Sequence, residues 1–166
     1  MTTDRLRQLD REALILARTR MHTEDAERAV AAYSRLGEHG ACWVLLGLCG
    51  AGLDPRRRRR WLRGTAAVVA GYALNYLAKL AVRRPRPVVP GRPPLTPTVS
   101  RLSFPSAHAT TSFAAARAFA GLAPARALYA AAGAFALSRL YLGVHYPSDV
   151  IAGALLGTAV GELACR

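Results

Sequence analysis

Polar and apolar positions divide this chain into a charged opening and a series of apolar runs behind it. Through residues 1–38 charged and apolar residues recur with helical spacing. Thr3 or Asp4 can cap a first helix carrying Leu6, Leu9, Ala13 and Leu16 on one face, and Thr23 with Glu24 and Asp25 starts a second through Val30 and Tyr33. Acidic and basic residues balance here, which predicts an amphipathic segment lying on a surface. An ordinary helical cap on a soluble core would show the same pattern. The opening is charged throughout and lacks the form of a signal peptide.

Apolar segments follow at 40–53, 62–82, 109–122, 126–143 and 149–164. Several are shorter than the ~20 residues a straight bilayer crossing prefers, so their detail decides the environment. Trp43, Trp61, Tyr141 and Tyr146 stand near segment ends, where amphipathic rings favour the lipid interface. Gly153, Gly157 and Gly161 recur every fourth residue and let a neighbouring backbone approach closely. Gly64, Val68, Gly71, Asn75 and Lys79 share one helical face, which turns the polar pair into a bundle rather than toward lipid. The expected fold is all-α, a polytopic membrane bundle of about five spanning helices with an amphipathic N-terminal helical segment. A soluble all-helical core is the alternative.

Two loops interrupt this pattern. Asp54-Pro55 leads into Arg56 to Arg60 and Arg63, a basic run beside Trp61 that the positive-inside preference holds in the cytoplasm. A solvated arginine cluster accounts for it better than specific lipid binding does. The second loop, Arg83 to Pro105, carries most of the prolines and five arginines, and its prolines keep the backbone extended. Composition sharpens the picture: 23 Lys and Arg oppose 10 Asp and Glu, for a net charge of +13, and after Asp54 only Asp149 and Glu162 are acidic. That excess fits nucleic acid, an acidic membrane surface or an anionic substrate. Nucleic acid is disfavoured, because the basic residues are interleaved with apolar runs and no nucleic-acid motif is present. Cys42, Cys49 and Cys165 lack metal or disulfide spacing and read as small hydrophobes.

Three clusters carry the chemistry. In the first, Lys79 ends an apolar helix and Arg86-Pro87 follows on the stiffened loop, so an ammonium and a planar guanidinium can meet one phosphate. Arg83 and Arg84 serve as interfacial anchors in this reading, and only Arg86 takes a direct role. In the second, Pro105-Ser106-Ala107-His108 precedes an Ala-rich helix whose free amides point at any anion in front of them. A routine serine cap beside a surface histidine is the plainer explanation of that cluster alone. In the third, Ser138-Arg139 closes one helix, and His145 precedes Pro147-Ser148-Asp149 at the start of the next. Asp149 can hold one imidazole nitrogen of His145 and leave the other free to attack phosphorus, while His108 can protonate a leaving oxygen.

These residues resemble the tripartite signature of the type 2 phosphatidic acid phosphatase superfamily: K-x6-R-P, then P-S-G-H, then S-R-x5-H-x3-D. Lys79 with Arg86-Pro87 and Ser138-Arg139 with His145 and Asp149 match the first and third motifs in spacing as well as identity. The second departs at Ala107, where the family has glycine, and a methyl group there narrows the phosphate cradle or disfavours a positive backbone dihedral. The resemblance implies a single catalytic domain over 1–166, with 1–38 the amphipathic segment and 39–166 the membrane-embedded core. It implies a lipid phosphatase needing no metal or cofactor, in which His145 forms a phosphohistidine, His108 is the acid, and Asp149 supports His145. Lys79, Arg86, Ser106, Ala107 and Arg139 would then hold the phosphate. The short Ala- and Arg-rich form resembles actinobacterial members acting on polyprenyl-linked phosphates, with undecaprenyl diphosphate, phosphatidylglycerol phosphate and phosphatidic acid as other substrates. An extracytoplasmic site, a membrane and a lipid phosphate as partners, and room for a homo-oligomer complete the expectation. Vanadium-dependent haloperoxidases share this pocket, with vanadate in place of phosphate. A non-catalytic membrane scaffold leaves the paired histidines and Asp149 without purpose.

Overall fold

The computed structural model describes residues 3–20 and 22–165. Among them are seven α-helices: α1 Thr3–Thr19, α2 Glu24–Leu36, α3 Ala41–Leu53, α4 Arg58–Val82, α5 Ala107–Phe119, α6 Ala125–Tyr141 and α7 Pro147–Ala164. No strand is found among the described residues, so the all-α expectation holds. Local chemistry sets several boundaries. The Thr23 side chain accepts from the Ala26 amide at 3.2 Å and opens α2. Asp54 accepts from the Arg57 amide with Pro55 at the first position, so helix begins inside the arginine run and before the apolar segment. Asp149 reaches back to the Tyr146 amide at 2.8 Å and closes a capping box on α7. The proline-rich stretch 83–105 contains no helix.

Helix α5 is the axis of the fold. Ala109, Ala114, Ala115 and Ala116 are wholly buried, and α3, α4, α6 and α7 pack around them. The glycine stripe of α7 faces α5, as its spacing predicts: a Cβ on Gly157 would run into the carbonyl oxygen of Thr110 and lie 2.9 Å from the Ala114 amide nitrogen. Both obstacles are backbone, which cannot rotate away. Gly157→Val is therefore expected to destabilise the protein by about 3 kcal/mol or more. Gly133 on α6 has open space around it, so Gly133→Ala should leave the thermal midpoint unchanged or raise it slightly. Detergent-solubilised thermal unfolding of the two variants checks the contrast, and equal midpoints would show that the helices do not cross here.

Apolar residues also cover the outside. Leu45, Leu48 and Leu53 on α3, Val69, Leu74 and Leu77 on α4, and Ile151, Leu155 and Leu163 on α7 are all exposed. Helix α1 buries a narrow mixed face and leaves both charged and apolar residues outside. Leu6, Leu9 and Leu16 face outward, while Asp10, Leu14 and Arg18 are buried against the rest of the chain. Two segments, Glu24–Leu53 and Pro55–Val82, are long and apolar enough to cross a bilayer.

One expectation needs correcting. Trp43 and Trp61 are 5% and 6% exposed, so they are core residues and not interfacial anchors. The small residues around α5 leave room for large rings. Trp43 donates to the Ser112 hydroxyl at 2.9 Å, and Trp61 packs against Phe119 with ring centres 5.2 Å apart.

Candidate active site

One cavity of about 110 Å³ gathers most of the signature. Lys79, Arg86, Ala107, His108, Arg139 and His145 all line it. Lys79 arrives from the last turn of α4, Arg86 from the loop, His108 from the first turn of α5, and Arg139 from the last turn of α6.

His145 sits in the short connection from α6 to α7 and is 2% exposed. Its Nδ1 lies 3.5 Å from Asp149 Oδ2, and its Nε2 lies 3.2 Å from Arg86 Nη1. No hydrogen bond to Nδ1 is formed among the described residues, but the fully buried Asp149 is the carboxylate that faces it, and a proton on Nδ1 leaves the Nε2 lone pair on the side of Arg86. Burial pushes the His145 pKa down to about 3, against the upward pull of Asp149 and with a further downward push from Arg86. The ring is thus neutral and its lone pair available at ordinary pH.

Arg86 is fixed by its own donors: Nε to the Ser100 carbonyl at 2.8 Å and Nη1 to the Val144 carbonyl at 2.7 Å. Lys79 Nζ points into a ring of backbone carbonyls, Pro105 at 2.8 Å, Ser103 at 3.2 Å and Leu102 at 3.3 Å. It therefore anchors the loop as well as lining the cavity. Ser106 does not line the cavity. It is wholly buried beneath it, its amide bonded to the Asp149 carbonyl at 2.9 Å and its hydroxyl without a partner among the described residues. Ala107 is the first residue of α5, with a negative φ, so this position has no need of glycine's left-handed freedom.

Helix α2 contributes a residue that sequence reasoning missed. Ser34 is 1% exposed; its carbonyl accepts from His108 Nε2 at 2.9 Å, and its hydroxyl accepts from Arg139 Nη1. With Nε2–H engaged there, Nδ1 is the nitrogen of His108 left for other chemistry.

Arg84 also departs from its expected role as an interfacial anchor. Its guanidinium bridges Asp149 Oδ1 at 2.8 Å and Asp10 Oδ2 at 2.9 Å, and it lies 4.0 Å from the centre of the Tyr146 ring. Asp10 on α1 in turn accepts from the Ser148 amide at 2.9 Å and from the Ser148 hydroxyl. A chain of partners thus runs from α1 through Arg84 and Asp149 to His145. No local pattern announces Ser34 or Asp10, since each is one polar residue on an amphipathic helix.

Residues 61–166 match the PAP2 superfamily. A decaprenylphosphoryl-5-phosphoribose phosphatase of Mycobacterium tuberculosis is 45% identical over 130 residues, which cover 78% of this chain and 73% of that protein. The crystal structure of Aquifex aeolicus LpxE superposes with a TM-score of 0.79 at 25% identity, covering 95% of this chain and 94% of that one. A transmembrane PAP2-type phosphatidylglycerolphosphate phosphatase from Bacillus subtilis shares the fold, with a TM-score of 0.77 at 21% identity over 98% of this chain and 86% of its own. The matched region runs through Lys79, Arg86, His108, Arg139, His145 and Asp149, and the chain belongs to the PAP2 superfamily.

Proposed function

We propose that this chain is an integral-membrane lipid phosphatase acting on a polyprenyl-linked phosphomonoester, with decaprenylphosphoryl-5-phosphoribose as its substrate. The observation that carries the reading is the convergence of two histidines and three cations on one small cavity, in a chain 45% identical to a phosphatase named for that lipid. In the first step His145 Nε2 attacks phosphorus, the bond from phosphorus to the leaving oxygen breaks, and His108 delivers a proton to that oxygen. Water then attacks the phosphohistidine with His108 as base, releasing inorganic phosphate and restoring both rings. Lys79, Arg86 and Arg139 carry the charge that balances the phosphoryl oxygens, and the first α5 amides, that of Ala107 included, add donors.

Phosphate release across a panel of lipid phosphates tests the substrate. The full chain in detergent should turn over the polyprenyl-linked pentose 5-phosphate, and release from none of the lipids would reject the reading. Three side-chain cations supply the positive charge a divalent ion would otherwise bring, so activity is expected to survive EDTA. Vanadate, which mimics the five-coordinate phosphorus bound to an imidazole, should block it. Loss in chelator that added magnesium restores would overturn the metal-independent mechanism.

The same reading gives about five crossings, by α3 to α7, with α1 and α2 on the face of the active site. At about 1.5 Å per residue α4 is long enough to carry the chain from Arg58 on one side to Lys79 on the other. The positive-inside preference puts the arginine run in the cytoplasm and the cavity on the outer face. With Cys42, Cys49 and Cys165 replaced by alanine, cysteines placed between Pro90 and Thr98 should react with a membrane-impermeant thiol reagent in intact cells. A cysteine at Arg58 should not. The reverse pattern would put the active site on the cytoplasmic leaflet.

A further inference from the structure

The phosphate end of the cavity is cationic, yet its rim carries a carboxylate. Glu38 is the acidic residue among those lining the cavity; it is exposed and has no ion pair or hydrogen bond among the described residues. It lies in the 3₁₀ turn Glu38–Gly40, between α2 and α3, and that turn is specifically shaped. His39 adopts φ 54 and Gly40 φ 72. A left-handed histidine is uncommon and is kept where surrounding structure imposes it. Here His39 Nδ1 is 2.7 Å from the Tyr72 hydroxyl, and both residues line the cavity.

The turn is also fixed relative to His108. The Ser34 carbonyl accepts from His108 Nε2, and a Cβ on Gly37 would lie 3.0 Å from His108 Cδ2. Glu38 therefore follows directly on the backbone that packs against that ring. In the mechanism proposed above, His108 protonates the leaving oxygen, so the leaving group occupies this side of the cavity. A carboxylate there, which also feels the Arg139 guanidinium, repels negative charge placed directly beside it and accepts from hydroxyl donors.

We infer that Glu38, with His39 and Tyr72, forms a leaving-group subsite that reads the free hydroxyls of a sugar or other polyol, and that it selects such phosphomonoesters against lipid diphosphates. The inference rests on the phosphatase reading and on His108 as the acid. A diphosphate would leave as a phosphate monoester, bringing its negative charge beside Glu38. A diacylglycerol phosphate would offer no hydroxyl in its leaving group. A polyprenylphosphoryl pentose 5-phosphate also leaves as an anion, but its phosphodiester lies across the sugar ring, while hydroxyls lie nearer the departing oxygen, where Glu38 can accept from them.

The test measures kcat/KM by phosphate release from three synthetic lipids, for the wild-type full chain and for Glu38→Gln and Glu38→Ala. The lipids are a polyprenylphosphoryl pentose 5-phosphate, its analogue with the free ring hydroxyls replaced by hydrogen, and a polyprenyl diphosphate. A hydrogen bond to a charged acceptor is worth about tenfold or more. Both variants should lose about that factor on the pentose phosphate and gain on the diphosphate, where a repulsion has been removed. The deoxy analogue should cost wild type the same factor and the variants little. Glu38→Gln keeps the size of an exposed side chain, which guards against a folding artefact. An unchanged ratio between pentose phosphate and diphosphate in both variants, or an equal fall on all three lipids, would overturn the inference while leaving the phosphatase intact. Wild type inactive on all three would instead remove the phosphatase reading, and this subsite with it.

Discussion

Replacing His145 by alanine is expected to lower phosphate release by at least about a thousandfold, because uncatalysed phosphate-ester hydrolysis is extremely slow and the nucleophile splits it into two easier steps. The geometry explains the choice of this histidine over His108. His145 has a carboxylate behind Nδ1 and a guanidinium beside Nε2. His108 has its Nε2 committed to the Ser34 carbonyl. With its pKa near 3, His145 is deprotonated at any pH above that value, so its lone pair is not lost through the mildly acidic range. An acid limb near the ordinary histidine value in kcat/KM would accordingly report another group, the substrate phosphate included. Retention of more than a tenth of wild-type release by a folded His145→Ala variant would sink the phosphohistidine mechanism.

The helices were legible because their signals are local. The apolar segments at 109–122, 126–143 and 149–164 become α5, α6 and α7 to within a few residues. The Gly153, Gly157, Gly161 stripe faces a neighbouring backbone because small residues at that spacing leave one helix face open. Gly64, Val68, Gly71, Asn75 and Lys79 are all buried on α4, as one face of a bundle helix should be. The signature residues were legible because their spacing is a pattern. What the sequence hid depends on docking across long separations. Ser34 meets Arg139 across 105 positions, and Asp10 meets Ser148 across 138. Nothing in the alternation of residues 1–38 shows that Asp10 and Arg18 turn inward with Leu14, since hydrophobic patterning assigns the leucines to the core by default. In α1 Leu6, Leu9 and Leu16 are outside while Asp10 and Arg18 are inside beside Leu14, so the N-terminal segment reaches the side chains of the candidate site.

Arg84 is where that hidden docking should have its largest functional effect. Its guanidinium holds two carboxylates, Asp149 with no exposed side-chain surface and Asp10 with 10%. Arg84→Met would leave both charges facing one another without their shared partner, and breaking a buried pair costs about 3–5 kcal/mol. The variant should therefore unfold at a lower temperature. Its folded fraction should also turn over more slowly, by about a hundredfold, because in the proposed mechanism Asp149 orients the His145 ring, and small misplacements of a nucleophile have effects of that size. Arg84 does not line the cavity, so the loss should fall on kcat and leave KM nearly unchanged. Arg84→Lys restores a charge without the two-pronged fork and should recover stability more than rate. Titrating competent sites with vanadate separates a smaller folded fraction from a slower enzyme. If the titrated sites of Arg84→Met work at the wild-type kcat, Arg84 merely holds helices together, and the path from α1 to His145 has no part in catalysis.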